Sequence, residues 1–383
     1  MQPSDLRVAL FSGNYNYTRD GANQALNLLV GHLLSRGAQV RVYSPTVAEP
    51  AFEPTGDLVS VPALSLPGGR GEYKLARGLP RRTRDDLARF APNLIHVSAP
   101  DILGHRALSY ARKHDLASVA SLHTRFETYP RYYRAGFAEP LIEKLLTRFY
   151  NRADRVVVPT PSIADLLTSW GVRSPIGYWP RGVDHDRFTP TRRDLDWRRQ
   201  LGIADDMIAV GFLGRLVLEK GLGAFADVIE RLRARGISHR ALIVGDGPAR
   251  EWFAERVPDA AFAGFQRGDA LGRAVASMDV MFNPSVTETW GQVTSEAMAS
   301  GVPVVAARAT GAMDLVVDGE TGFLIEPGDT QGYADAIARI VSEPGLRDHM
   351  GQAAHARAQG YRWDDASQSV LDTYCELMAA RAR

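Results

Sequence analysis

A single cysteine, Cys375, stands among the 383 residues, which excludes an intramolecular disulfide and any metal cage built from cysteine thiolates. No uncharged apolar run approaches the roughly 20 residues a membrane-spanning helix requires. The histidines show no metal-ligand spacing, and neither low-complexity tracts nor a repeat period is present. The opening stretch MQPSDLRVALFSGN enters an apolar strand almost at once. It lacks the basic start, long apolar run and small-residue cleavage site of a signal peptide, so a cytoplasmic protein is expected. Excess charge of one sign is also missing, since the formal net charge is +1. That balance conceals an asymmetry: 24 basic and 17 acidic residues precede Pro190 (+7), and 21 basic and 27 acidic residues follow from it (−6). A positive half suits an anionic partner such as a membrane surface, or simply a solvated face.

A chain of 383 residues exceeds one ordinary core and implies two domains. Apolar runs alternate with helical patterns: LRVALFSG, QVRVYSP, LIHVSAP, ASVASLHT and RVVVPTP, then again MIAVGFLG, RALIVGDG, AAFAGF, DVMFNPS, VPVVAAR and GFLIEPGD. Continuous apolar strands between helices mark parallel sheets covered on both faces, so each half reads as a doubly wound α/β domain. The segment GYWPRGVDHDRFTPTRRD, with its prolines and charges, is the expected linker. Boundaries are placed at 1–185 and 191–363, with a final helix over 364–383 returning to the first domain.

Ligands of open parallel sheets sit beyond the carboxyl ends of the strands. After MIAVGFLG, Gly214 leads into a loop carrying Arg215 and Lys220, two cations suited to grip a diphosphate. After DVMFNPS, Glu288 precedes a turn at Trp290 and Gly291 and a helix starting near Gln292, with Glu296 about one turn inside it. The N–H groups at such a helix start attract phosphate, and carboxylates accept from paired hydroxyls. An elongated ligand with hydroxyls at both ends and phosphate between would satisfy this layout.

The pair Glu288 and Glu296, followed by AMASGVPVVAARATGAMDLVVDGETGFLIEPGD and preceded by GRLVLEKG, LIVGDGP and FAGF, resembles the retaining nucleotide-sugar glycosyltransferases of family 4. Their architecture is GT-B: two Rossmann-like, doubly wound parallel-sheet domains facing across a cleft. Within the family, SVTETWGQVTSEAMASG is most similar to the branch of GDP-mannose-dependent mannosyltransferases and sulfoquinovosyl lipid synthases. The resemblance implies a UDP- or GDP-sugar donor, with no cofactor and no metal. It implies that Arg215 and Lys220 hold the pyrophosphate and that Glu296 accepts from the ribose. Glu288 would contact the transferred sugar, backbone N–H groups near Trp290, Gly291 and Gln292 would meet phosphate or sugar oxygens, and the base would rest near Phe265 and Gln266. His123 stands where the family often has a histidine near the donor sugar. Arg125 and Tyr129 are acceptor-side candidates, as are Asn14 and Tyr15 in FSGNYNYTRDGANQAL, although turn-forming asparagines and packing tyrosines explain that stretch nearly as well. Gly21 keeps one glycine of the pair many relatives show there; Ala22 departs from it.

Asp184–His185–Asp186 and Asp194–Leu195–Asp196 match a metal-binding aspartate pattern but lie in or beside the linker, where turn and helix-start chemistry explains them. GDGPAR has only the first two glycines of a dinucleotide-binding turn. Two rival functions use the same features: a nucleotide-sugar epimerase, or a sugar- or lipid-binding protein without catalysis. GGRGEYKLARGLPRRTRDDLARF and RFETYPRYYRAGFAEPLIEKLLTRFYNR mix basic and aromatic residues, which suits anionic lipid headgroups and a lipid or glycan acceptor. Nucleic acid is not expected, because no recognition motif accompanies the charge.

Overall fold

Each apolar run named above becomes a parallel strand, and burial is complete along the central Leu94–Val97, Ala117–Ser121, Val280–Asn283 and Val304–Ala307 and partial at the strand starts and on Ala261–Gly264 and Gly322–Ile325. The computed structural model describes residues 2–18, 20–65, 74–132 and 135–382. Among these, the first unit contains β1 (Arg7–Phe11), β2 (Gln39–Ser44), β3 (Asp57–Ser60), the hairpin strands β4 (Ala63–Ser65) and β5 (Lys74–Ala76), β6 (Leu94–Val97), β7 (Ala117–Ser121), β8 (Arg155–Val158) and β9 (Ile176–Tyr178). Its parallel sheet has the order β3-β2-β1-β6-β7-β8-β9. The edge strands β3 and β9 are only partly buried, so neither shows a continuous apolar run in the sequence. The second unit holds β10 (Ile208–Leu213), β11 (His239–Val244), β12 (Ala261–Gly264), β13 (Val280–Asn283), β14 (Val304–Ala307) and β15 (Gly322–Ile325), in the order β12-β11-β10-β13-β14-β15.

Strand alternation divides each core into two layers. On β1, Val8 and Leu10 pack with Leu26, Leu29 and Val30, whereas Ala9 and Phe11 pack with Ile95, Val97 and Leu103 on the opposite face. The final helix, Trp363–Arg381, places Val370, Leu371 and Tyr374 in the same layer as Val8 and Leu10. By its contacts this segment belongs to the first unit, together with residues up to Glu127 and Phe137–Arg181. Conversely, Thr128–Gly136 clusters with Gly182–Arg362 in the second unit.

Helix starts follow local chemistry. Asp20 accepts from the Asn23 N–H and opens the helix Gly21–Ser35, and Asp101 accepts from the Gly104 N–H to open Ile102–Lys113. Asp194 does the same for Leu195–Gln200, and Asp184 accepts from the Arg187 N–H in a turn.

Candidate active site

In the second unit the strand order reverses between β10 and β13. These two are paired, Val210 against Val280 and Gly211 against Met281, yet their chains leave toward opposite ends of the sheet. A crevice opens at such a reversal, beyond the carboxyl ends of the strands. The loop after β10 carries Gly214, Arg215 and Lys220; the loop after β13 carries Glu288, Trp290 and Gly291.

Across that reversal Lys220 donates from Nζ to Glu288 Oε1 at 2.7 Å, with 33% of the lysine and 12% of the glutamate side chain exposed. Burial works to raise the Glu288 carboxyl, but the charge and hydrogen bond of Lys220, with a further bond from Ser285, hold it below the ordinary glutamate range. Two hydroxyls steady the loops: Thr287 donates to the Glu219 carbonyl at 3.4 Å and Thr310 to the Glu288 carbonyl at 2.9 Å. Gly311, at φ +82°, lies so close that a Cβ there would stand 3.0 Å from the Glu288 Cβ.

The helix Gln292–Ala299 begins from Gly291, whose φ of +89° lies in the left-handed region where a side chain is strained. Its first N–H groups have no acceptor within the helix. Gln292 donates to the Gly182 carbonyl at 3.1 Å and to Glu296 Oε1 at 3.3 Å. Burial pushes the Glu296 carboxyl up to about 7, against the lowering effects of Gln292 and Arg187. Trp290 is buried, donating from its indole nitrogen to Ser295 Oγ at 3.2 Å, so it fixes the turn from beneath.

Arg215 is exposed in its loop, and the Gly214 N–H donates to the Val244 carbonyl at 3.0 Å. Beyond β12, Phe265 is exposed with the Arg267 guanidinium 4.9 Å from its ring centre, and Gln266 donates to the Ala263 carbonyl. Tyr129 begins the short helix Tyr129–Tyr132, which lies beside Leu218–Lys220. The structure therefore joins Lys220 to Glu288 across the reversal and Gln292 to Glu296 in the helix that follows, with the helix Tyr129–Tyr132 beside Leu218–Lys220.

This arrangement has relatives. Residues 19–187 match the family model for Glycosyltransferase Family 4, and residues 208–343 that for Glycosyl transferases group 1. A GDP-mannose-dependent alpha-mannosyltransferase from Mycolicibacterium smegmatis is 31% identical over 98% of this chain and 99% of its own. The chain belongs to glycosyltransferase family 4. A sulfoquinovosyl transferase from Arabidopsis thaliana is 33% identical to this family 4 transferase over 77% of the chain and 59% of the plant protein. Among solved structures, sucrose-phosphate synthase from Thermosynechococcus elongatus superposes with a TM-score of 0.79 at 21% identity, covering 97% of this chain and 99% of that one. The transferase thus has the GT-B fold.

In the transferase's first unit the remaining residues fall into two environments. Asn14 lies in the loop after β1, bonded to Thr18 and, at 3.4 Å, to Asp20; Gly21 opens the next helix. Tyr15 is wholly buried and donates to the Thr55 carbonyl at 2.7 Å, so it shapes that loop from below. Arg125 donates from Nε to the buried Glu127 at 2.6 Å. His123 follows β7 and is half-buried. Its Nδ1 faces Arg181 Nη2 and its Nε2 faces Ser121 Oγ, each at 2.8 Å. Desolvation, then Arg181 and His96, hold His123 well below the ordinary histidine range. Arg181 escaped the sequence reading because it sits in the presumed linker, where charge reads as surface. Ser285, Thr287 and Thr310 escaped as well, since single hydroxyls in loops carry no sequence signal.

Proposed function

We propose that the transferase moves a hexose from a GDP- or UDP-sugar to a hydroxyl of a lipid, lipid-linked or glycan acceptor, with retained anomeric configuration and without a metal. The Lys220–Glu288 pair across the β10/β13 reversal carries this reading. A partly exposed cation in the loop after β10 is set to receive a diphosphate, and its carboxylate partner is then released to accept from sugar hydroxyls. Cleavage of the sugar–phosphate bond places negative charge on the departing diphosphate, which Lys220, Arg215 and the N–H groups from Trp290 to Gln292 stabilise in place of a metal. No carboxylate is assigned as a covalent nucleophile; a diphosphate oxygen on the same face takes the acceptor's proton. Glu296 accepts from the ribose, Phe265 and Gln266 lie by the base, and Gly214 and Gly21 allow backbone to approach the donor. His123 lies against the donor sugar, while Arg125, Asn14 and Tyr129 serve the acceptor.

GDP-mannose is the first donor to test, because the Mycolicibacterium relative is named for it. Incubation with GDP- and UDP-sugars and a lipid extract, with and without chelator, is expected to release nucleoside diphosphate and give a product of unchanged anomeric configuration. Donor hydrolysis without acceptor product, an epimerised donor, or an inverted product defeats the reading.

A lipid acceptor is supported by the helix Glu139–Tyr150 and the turn before it. Phe137, Leu141 and Leu145 are 88%, 61% and 56% exposed at four-residue spacing, beside the exposed Lys144 and Arg148. Arg82 and Arg84 add exposed positive charge in the same unit; residues 68–73 of the basic stretch noted above, and 133–134 of the aromatic one, lie outside the described residues. Apolar anchors flanked by cations suit an anionic bilayer surface. The wild type is expected to sediment with anionic vesicles at low salt, and replacing Phe137, Leu141 and Leu145 by serine to abolish it. Absence of wild-type binding would remove the membrane from this account.

A further inference from the structure

A row of buried polar groups runs through the first unit behind His123, and none of them is used by the transfer chemistry above. Arg181 is almost fully buried. Its guanidinium lies 4.7 Å from the centre of the Trp179 ring and donates from Nη1 to the Trp179 and Pro180 carbonyls at 2.7 and 3.1 Å. Its Nη2 lies 2.8 Å from His123 Nδ1. His123 Nε2 lies 2.8 Å from Ser121 Oγ, which is also 2.8 Å from His96 Nε2. His96 Nδ1 is bonded to the hydroxyl of Tyr374, on the final helix. Both imidazoles stand edge-on to Trp179.

The chemistry of the first member orders the second. A guanidinium has only N–H donors, so the His123 Nδ1 that faces it must be bare. The His123 proton then sits on Nε2 and is donated to Ser121 Oγ. That oxygen has a second lone pair and its own proton, so it meets His96 Nε2 in either tautomer of that ring. A proton on His123 Nδ1 would set two donors against each other at 2.8 Å in a buried site, so the imidazolium is excluded.

We propose that Arg181 is a positioning residue for His123: by donating to Nδ1 it holds the imidazole as the neutral Nε2–H tautomer in a fixed orientation. The inference rests on His123 belonging to the site. It assigns His123 a fixed neutral ring beside the donor sugar, and it takes from that residue any part as proton donor or acceptor in the transfer. Among the described groups, Arg181 bears a charge beside His123, and His96 faces it across Ser121.

Nitrogen-15 NMR of the full-length protein labelled at histidine tests this without substrate. The expected His123 spectrum has a bare Nδ1 and a protonated Nε2, unchanged between about pH 6 and 8, where an ordinary imidazole titrates. A protonated Nδ1, or a His123 that titrates in that window, overturns the proposal, and this measurement needs no variant. Arg181→Met is expected to lose the single tautomer and to lower kcat by about 10- to 100-fold with little change in donor KM. Arg181→Lys, which keeps a donor-only cation, is expected to restore part of both. An Arg181→Met protein with the wild-type His123 spectrum overturns the ordering role, and one with a changed spectrum but unchanged kcat overturns the positioning role. Failure of the wild type to turn over any donor counts instead against the proposed function, and leaves the tautomer result to stand or fall by itself.

Discussion

At the scale of single residues, the two glutamates face opposite electrostatic situations. Glu288 is held charged by Lys220, so Lys220→Met strips the proposed diphosphate ligand and leaves a buried carboxylate without its cation. Loss of one such charge stabiliser is expected to lower kcat about a hundredfold or more. A Lys220→Met enzyme with wild-type turnover would dissolve the clamp. Among the described residues Glu296 has no cation in hydrogen-bond contact, and burial raises it to about 7. Its folded state binds a proton more tightly than the unfolded chain does. The associated stability is present below the ordinary glutamate range and is lost as pH rises toward 7. Glu296→Gln is therefore expected to match the wild type in thermal midpoint near pH 4 and to exceed it near pH 8. Donor affinity should show the complement. It should strengthen in the wild type as pH rises through about 7, where the carboxylate forms, and stay flat in the Gln variant; calorimetry at both pH values checks the pair.

At the scale of elements, the start of the helix Gln292–Ala299 depends on one backbone conformation. Gly291 at φ +89° turns the chain into the helix whose start is proposed to meet phosphate. An alanine there adopts the left-handed region at a cost of roughly 1 to 2 kcal/mol. Gly291→Ala is expected to lower the melting temperature by a few degrees and to weaken nucleoside diphosphate binding, because the helix start moves with the turn. Unchanged diphosphate affinity in a destabilised variant would separate the helix start from the phosphate site.

At the scale of the whole molecule, the chain crosses between its units more than once. The final helix contributes Ala366, Val370, Leu371, Tyr374 and Leu377 to the layer over β1 and β2. Deleting the segment from Trp363 onward exposes that layer and leaves His96 without the Tyr374 oxygen. At about 25 cal/mol per Å² of apolar surface, five uncovered side chains are worth several kcal/mol. The truncated protein is expected to be insoluble or to unfold at much lower denaturant, with the loss confined to the first unit; limited proteolysis would show the second unit, Gly182–Arg362, still protected. Full stability after truncation would mean that this helix is not part of the core.

The sequence by itself determined the rhythm of the fold and named the candidate residues of the site. Strands covered on both faces are largely apolar, so eleven runs announced eleven strands, and glycine, cations and carboxylates just beyond them made Lys220, Glu288, Gly291 and Glu296 candidates. Edge strands β3 and β9 stayed hidden because one side of each meets solvent, and patterning weakens where burial does. Only the tertiary structure decided which loops meet. Lys220 and Glu288 are 68 residues apart and touch because the strand order reverses between β10 and β13. It alone also decided that Arg181, a charge in an apparent linker, is folded inward against Trp179 and His123. Burial and hydrogen-bond direction are properties of what surrounds a side chain, and neighbours distant in sequence supply most of that surrounding.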